Sequence, residues 1–590
     1  MLKECIEIFE RQLQDKGMGL ILDSYIPADG TYLIVGKDGQ CREPVEIRVD
    51  KKTKELYCSS QLYFSQICFY DYYSQLVSMN KPVDPKKIIH SNNYMSFWVK
   101  KDSILSGKLT NEIIDTYYEI LMNPLKRKYA KSKEASRIYQ LFEQEEGSVN
   151  PEEVEEKKNW IKAHIFQLHE VDMSRKDYLK IFFEGEEDVY EREGRRYFLP
   201  NIYNSNEYNV EIENIVYGLP DNNVGMKSKK PFLSIKTRKY PAPYLLDGES
   251  VMLQKMFFDY LMNLACKGEY SVYIDTKLGK IYSFSKEDSP EEVESGYYLR
   301  IRKGKNEAEI LNQDNLVQYQ KRLKRDFLFE EIIEIKYCRH PEYERDYRAY
   351  DKRTEIGALI SRVFFSNYLE GCYFAEASEI NINNEILKQN ILFARNTIFD
   401  WVNKGVDRGF AGRINKIARS LIKNSLLYGY RERAIWQLNL MYSFQQYFET
   451  EGEENKKGEK NMAETISKFT DIMKQKILAP TVIPLANDEE YFFAVGQMAS
   501  FLISLNKSKD KNQSLINPFL NAGSNEVIKK KILQLYKKYN YAISDNSRRV
   551  KNLLAMIEGY ELEGEINQEK IILGYACDNI IYKGGKENDE

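Results

Sequence analysis

The sequence predicts an α+β chain, and three patterns predict it. Short β-rich runs between Asp, Gly and Lys turns open the chain. Apolar positions at helical spacing dominate from about residue 355 onward, and a stretch without an apolar residue, 449–461, interrupts that helical half. The expected architecture is an N-terminal mixed region of antiparallel sheet and helix, a helical middle and a C-terminal all-α bundle. Residues 1–448 form the first region, with candidate subdivisions near 145–178 and 340–355; residues 449–461 are a linker and 462–590 the bundle.

The elements follow in chain order. Cys5, Ile6, Phe9 and Leu13 lie at helical spacing and Gly17 stops that helix. Runs 19–26, 31–35 and 45–49 read as strands, and their short polar turns favour antiparallel over parallel pairing. Residues 61–79 carry Tyr63, Phe64, Phe69, Tyr70, Tyr72 and Tyr73, a density that belongs to core and interface. Ser91, Asn92 and Asn93 sit between apolar flanks, a composition for a tight turn with outward amides; such amides either read an adenine edge or satisfy their own backbone. A mostly helical stretch covers 104–139, an acidic mobile connection 143–158 and a segment of mixed polarity 178–217. Beyond it come a helix over 250–266, hairpins turning at Leu278-Gly279 and around Gly304, and helices over 355–369, 384–402, 411–427 and 431–448. Past the linker, apolar faces mark helices through Ile466 to Ile477, Phe492 to Leu502, Ile528 to Tyr539, Val550 to Ile557 and 568–581.

Composition narrows the function. The 590 residues are 43% hydrophobic and 30% charged, with a formal net charge of -3, so nucleic-acid binding would require local patches rather than a basic surface. Eight cysteines never form C-x2-C and four histidines are scattered, with His164 and His169 on different helical faces; no metal site and no cofactor is expected. Neither a signal segment nor a membrane-length apolar run occurs, and unpaired cysteines suit the cytoplasm. P-loop, dinucleotide-binding and nuclease motifs are missing.

Two stretches point to nucleic acid. Between Met226 and Tyr244, Lys227, Lys229, Lys230, Lys236, Arg238 and Lys239 occur without a carboxylate, interleaved with Phe232, Tyr240 and Tyr244, while Pro231, Pro241 and Pro243 keep the backbone extended. Near the C-terminus, Lys529, Lys530, Lys531, Lys537, Lys538, Arg548 and Arg549 decorate the bundle, either as a phosphate-binding face or as a solvated one.

The stretch Ile89 to Trp98, the segment Lys229 to Tyr244, and the terminal runs Pro518 to Asn521, Asn546 to Arg549 and Asn552 to Leu554 together resemble the large subunit of type I-B CRISPR surveillance complexes (Cascade), from Met1 to about Tyr582. The resemblance implies a non-catalytic subunit near the 5′ handle of the crRNA that recognises the protospacer-adjacent motif, binds target double-stranded DNA and helps R-loop formation. It implies backbone and 5′-handle-binding subunits and a helicase-nuclease as partners, no membrane, and Ser91, Asn92 and Asn93 at the motif-reading surface. Family members often carry two cysteine pairs upstream of the basic loop; this chain has no cysteine between Cys68 and Cys266. The family also implies a small subunit made from the same gene. Lys457-Gly458-Glu459 can be encoded as AAA-GGA-GAA, a purine-rich ribosome-binding core ahead of Met462, which marks Met462 as an internal translation start. Two other functions compete: a nuclease using dispersed acids such as Asp346 and Asp351, and a stand-alone nucleic-acid-binding regulator.

Overall fold

A computed structural model of the chain describes residues 1–50, 55–130, 132–168, 171–220, 237, 239, 244–285, 288–305, 307–334, 343–451, 462–506, 513–544 and 547–582. The fold is α+β: the described strands all lie before Arg353, and helices dominate after it. Two compact units divide it. The first comprises Met1–Lys286 and Glu294–Val317, the second Glu287–Val293 and Gln318–Glu590. The linker expected at 449–461 overlaps the end of the helix Arg431–Glu451, and its residues 452–461 lie outside the described ones. Among the described residues no helix is long and apolar enough to cross a membrane.

The first unit is built on a five-stranded sheet: β1 (Gly30–Val35), β2 (Val45–Val49), β3 (Leu56–Cys58), β4 (Ser96–Lys100) and β5 (Tyr178–Phe183), in the order β3-β2-β1-β5-β4. Every residue of β1 is buried, as suits a central strand whose Tyr32 to Val35 form an apolar run. It pairs antiparallel with β2 but parallel with β5, in register Gly30 to Tyr178, so the sheet is mixed. Short turns near the N-terminus gave no sign of this pairing, because the partner lies more than a hundred residues on. Residues 19–22 form a helical turn, not a strand; an apolar run this short fits either. The acidic stretch 143–158 is no loose connection. The helix Lys133–Glu146 occupies its start, and Asn150 caps the helix Pro151–His164, whose Val154 and Ile161 are buried two turns apart. A small hairpin, β6 (Val210–Ile212) and β7 (Ile215–Tyr217), follows. A second sheet, ordered β11-β10-β8-β9, contains β8 (Ser271–Asp275), β9 (Lys280–Phe284), β10 (Glu292–Lys303) and β11 (Ala308–Gln320); Gly279, with φ of 63°, makes the expected turn between β8 and β9.

In the second unit, β12 (Arg322–Leu328) and β13 (Ala349–Lys352) pair antiparallel ahead of the helices. One continuous cluster of buried apolar side chains runs from Phe327 to Ile581. At its C-terminal end the helix Asp488–Ser504 is buried on nearly every side, packed by the helices Asn525–Tyr539, Arg548–Glu558 and Gln568–Ala576. A β-carbon on Gly496 would lie 2.3 Å from the Ile571 carbonyl oxygen, and one on Gly574 2.3 Å from that of Phe493. Two glycines thus let these helices meet backbone to backbone.

Candidate nucleic-acid interface

The stretch richest in positive charge lies mostly outside the described residues: Lys227, Lys229, Lys230, Lys236 and Arg238 belong to the undescribed part, as do Phe232 and Tyr240. Lys239 is described and exposed. Tyr244 is half-buried and donates to Gln254 Oε1 at 2.9 Å, and burial raises its pKa.

The turn at Ser91, Asn92 and Asn93 corrects the expectation of outward amides. All three side chains are buried. Asn92 Nδ2 donates to the Gly194 carbonyl at 3.2 Å and Asn93 Nδ2 to that of Tyr190 at 2.9 Å, while Asn93 Oδ1 accepts from the Met95 amide at 3.0 Å. Ser91 Oγ shares a 2.8 Å hydrogen bond with Tyr117 OH, a hydroxyl whose pKa burial pushes up. These amides clamp the approach to β4 onto the helix Glu187–Phe198, which leaves no face free for a base edge.

The C-terminal cations divide by task. On the helix Asn525–Tyr539, Ile528, Ile532, Leu535 and Tyr539 point into the core. Lys530 and Lys537 lie two turns apart on the opposite, exposed side, while the half-buried Lys531 and the exposed Lys538 flank the apolar face. No carboxylate pairs with any of these four among the described residues. Lys529 is differently employed: its ammonium donates to the carbonyls of Glu558 at 2.9 Å and Tyr560 at 2.8 Å, closing the end of the neighbouring helix. Arg549 donates to the Ile581 carbonyl at 3.1 Å, whereas Arg548 is exposed. Of the expected contacts, Lys530 and Arg548 are exposed, whereas Lys529 and Arg549 hold backbone carbonyls.

One basic element escaped the sequence reading. The helix Phe410–Leu427 contains Arg413, Lys416, Arg419 and Lys423 and no Asp or Glu in eighteen residues. That absence of acids was its signal. Arg419 pairs with Glu569 at 2.9 Å, and burial together with Arg419 lowers the pKa of Lys423.

The acids of the competing nuclease function are taken. Arg362 grips both oxygens of Asp346, and Arg322 holds Asp351 at 2.6 Å. A cavity of about 1070 Å³ in the first unit is bordered by Asp23, Glu184, Glu186 and Glu187, with Lys37 bound to Glu186 at 3.0 Å, a charge balance that repels phosphate. Compared with family models, curated proteins and solved structures, the chain matches none.

Proposed function

We propose that the chain is the non-catalytic large subunit of a crRNA-guided type I-B CRISPR interference complex. In this role it recognises the protospacer-adjacent motif, binds target double-stranded DNA, helps R-loop formation and recruits the helicase-nuclease, all in the cytoplasm. The observation that carries the proposal is the row of Lys530 and Lys537 on the outer face of an amphipathic helix, flanked by the exposed Lys538 and without carboxylate partners among the described residues, in a chain of net charge -3 whose motifs resemble that family. Motif reading is not assigned to Asn92 and Asn93, whose amides are used internally. The chain is proposed to hold the duplex phosphates through the basic loop 226–244. Its partners are the crRNA, the backbone and 5′-handle-binding subunits, and a small subunit translated from Met462.

Assembly with crRNA and the partner subunits tests it. The full chain should be needed for the complex to hold a target duplex carrying the correct motif. Replacing Lys530 and Lys537 with Ala should weaken all duplexes alike and flatten the dependence of log affinity on log salt by about 2. Sequence-specific binding by the purified chain without guide RNA would instead make it a stand-alone regulator. Divalent-metal-dependent cleavage by that chain would make it a nuclease.

A further inference from the structure

The helix Phe410–Leu427 places Arg413, Lys416, Arg419 and Lys423 within about a third of its circumference, opposite the buried Ile414, Ile417, Ala418 and Leu421. The stripe is roughly 15 Å long at the helical rise. Its outer end meets an aromatic ring that burial does not explain. Phe393, on the adjoining helix Glu385–Lys404, is 42% exposed, with the Arg413 guanidinium 3.9 Å and the Lys416 ammonium 4.8 Å from its ring centroid. Among the described residues neither cation has a carboxylate partner. At the other end the stripe reaches a cavity of about 640 Å³ that Gln445 and Phe469 help to line. Of the three glutamates bordering it, Glu569 is held by Arg419 at 2.9 Å and Glu489 by Lys570 at 3.2 Å, while Glu565 is exposed.

We infer that this face binds single-stranded nucleic acid, with the backbone phosphates along the cationic stripe and an unpaired base stacked at Phe393 and Arg413. Duplex DNA would supply phosphates but keep its bases stacked on each other, so an exposed ring among cations favours a strand whose bases are free. A folded acidic protein would engage the charges without needing the ring. Nothing here reads a base edge, so binding should tolerate sequence, and no contact selects for the sugar. The inference concerns a surface that the proposed function does not use and does not depend on which complex the chain joins.

Fluorescence anisotropy on the purified full chain, with labelled oligothymidylate, oligouridylate and a mixed-sequence duplex, tests it. Oligothymidylate and oligouridylate should both bind. Phe393→Ala should weaken them about tenfold, the loss of one stacked base, and leave the duplex unchanged. Arg413→Gln with Lys416→Gln should weaken them further and reduce the salt dependence. All three positions are partly or well exposed, and an unchanged melting temperature certifies folding. No binding of either single strand by the wild-type chain, or variants that lose single strands and duplex equally, would overturn the inference. If single-strand binding responds as expected while the chain fails to join a guided complex, the proposed function falls and this surface stands.

Discussion

Lys128 shows how one residue ties the chain's stability to pH. Its ammonium donates to the carbonyls of Pro82 at 2.6 Å and Lys81 at 3.5 Å, and burial, with the neighbouring Lys81 charge, brings its pKa down to about 7. Lys81 is itself turned onto the carbonyls of Asn201 and Tyr203 at 2.9 and 2.6 Å. Because the folded value lies below the usual 10.5, the unfolded chain binds the extra proton between the two, and stability rises with pH across that window. Below about pH 7 both states are protonated and the cost of burying the charge is present in full. Lys128→Met should therefore raise the melting temperature most near pH 6.5 and progressively less toward pH 10, flattening the wild-type slope. An identical slope in the variant would place the titration elsewhere. Ser91, Asn92 and Asn93 mark the limit of legibility at this scale. Their composition announced a turn, but an amide pairs as readily with a buried carbonyl as with a base, and the carbonyls of Tyr190 and Gly194 that decide the matter lie about a hundred residues away.

Among elements, strong periodicity was legible. The helices Leu2–Lys16, Glu385–Lys404, Phe410–Leu427 and Asn525–Tyr539 stand where their apolar stripes placed them, and the β8–β9 hairpin turns at its glycine. What misled was local composition standing in for burial. The acidic residues of Pro151–His164 cover a helix that needs only Val154 and Ile161 on its inner face, and the parallel pairing of β1 with β5 is a long-range choice that no turn signals. Gly496 and Gly574 were also silent in sequence, since a glycine within a helix reads as a weak point until its neighbour is known. Their contact predicts that Gly574→Ala, usually favourable in a helix, destabilises here: the new methyl meets the Phe493 backbone and the helices Asp488–Ser504 and Gln568–Ala576 must part. Such overpacking costs about 1 to 3 kcal/mol, measurable by chemical denaturation. A neutral or stabilising substitution would mean that the helices separate without cost.

For the whole molecule, the decisive question is whether the helices after Met462 belong to the second unit or only rest against it. The buried cluster from Phe327 to Ile581 is continuous, and the segment Gln513–Ile516 packs on the helix Phe410–Leu427, so cutting at Met462 uncovers apolar surface. Against this, the helix Asp488–Ser504, buried on nearly every side, finds its partners in Asn525–Tyr539, Arg548–Glu558 and Gln568–Ala576, all C-terminal to the cut. Several contacts across the cut are polar: Arg419 to Glu569 at 2.9 Å, Arg431 to Asp578 at 3.0 Å and Arg431 Nε to the Ala576 carbonyl at 2.8 Å, beside the cavity of about 640 Å³. Surface ion pairs of this kind contribute about 0 to 1 kcal/mol each, little beside a buried helix. The segment 462–590, made alone, should therefore fold as a cooperative helical bundle, melting below the full chain and tending to self-associate through the uncovered face. Circular dichroism melts and sedimentation of that segment check it, and a broad transition without cooperativity would show that the bundle needs residues 327–451. The same product should arise in cells. Recoding Gly458 and Glu459 with synonymous codons leaves the full chain identical, so a small band that survives recoding, or never appears by mass spectrometry, would remove Met462 as a start.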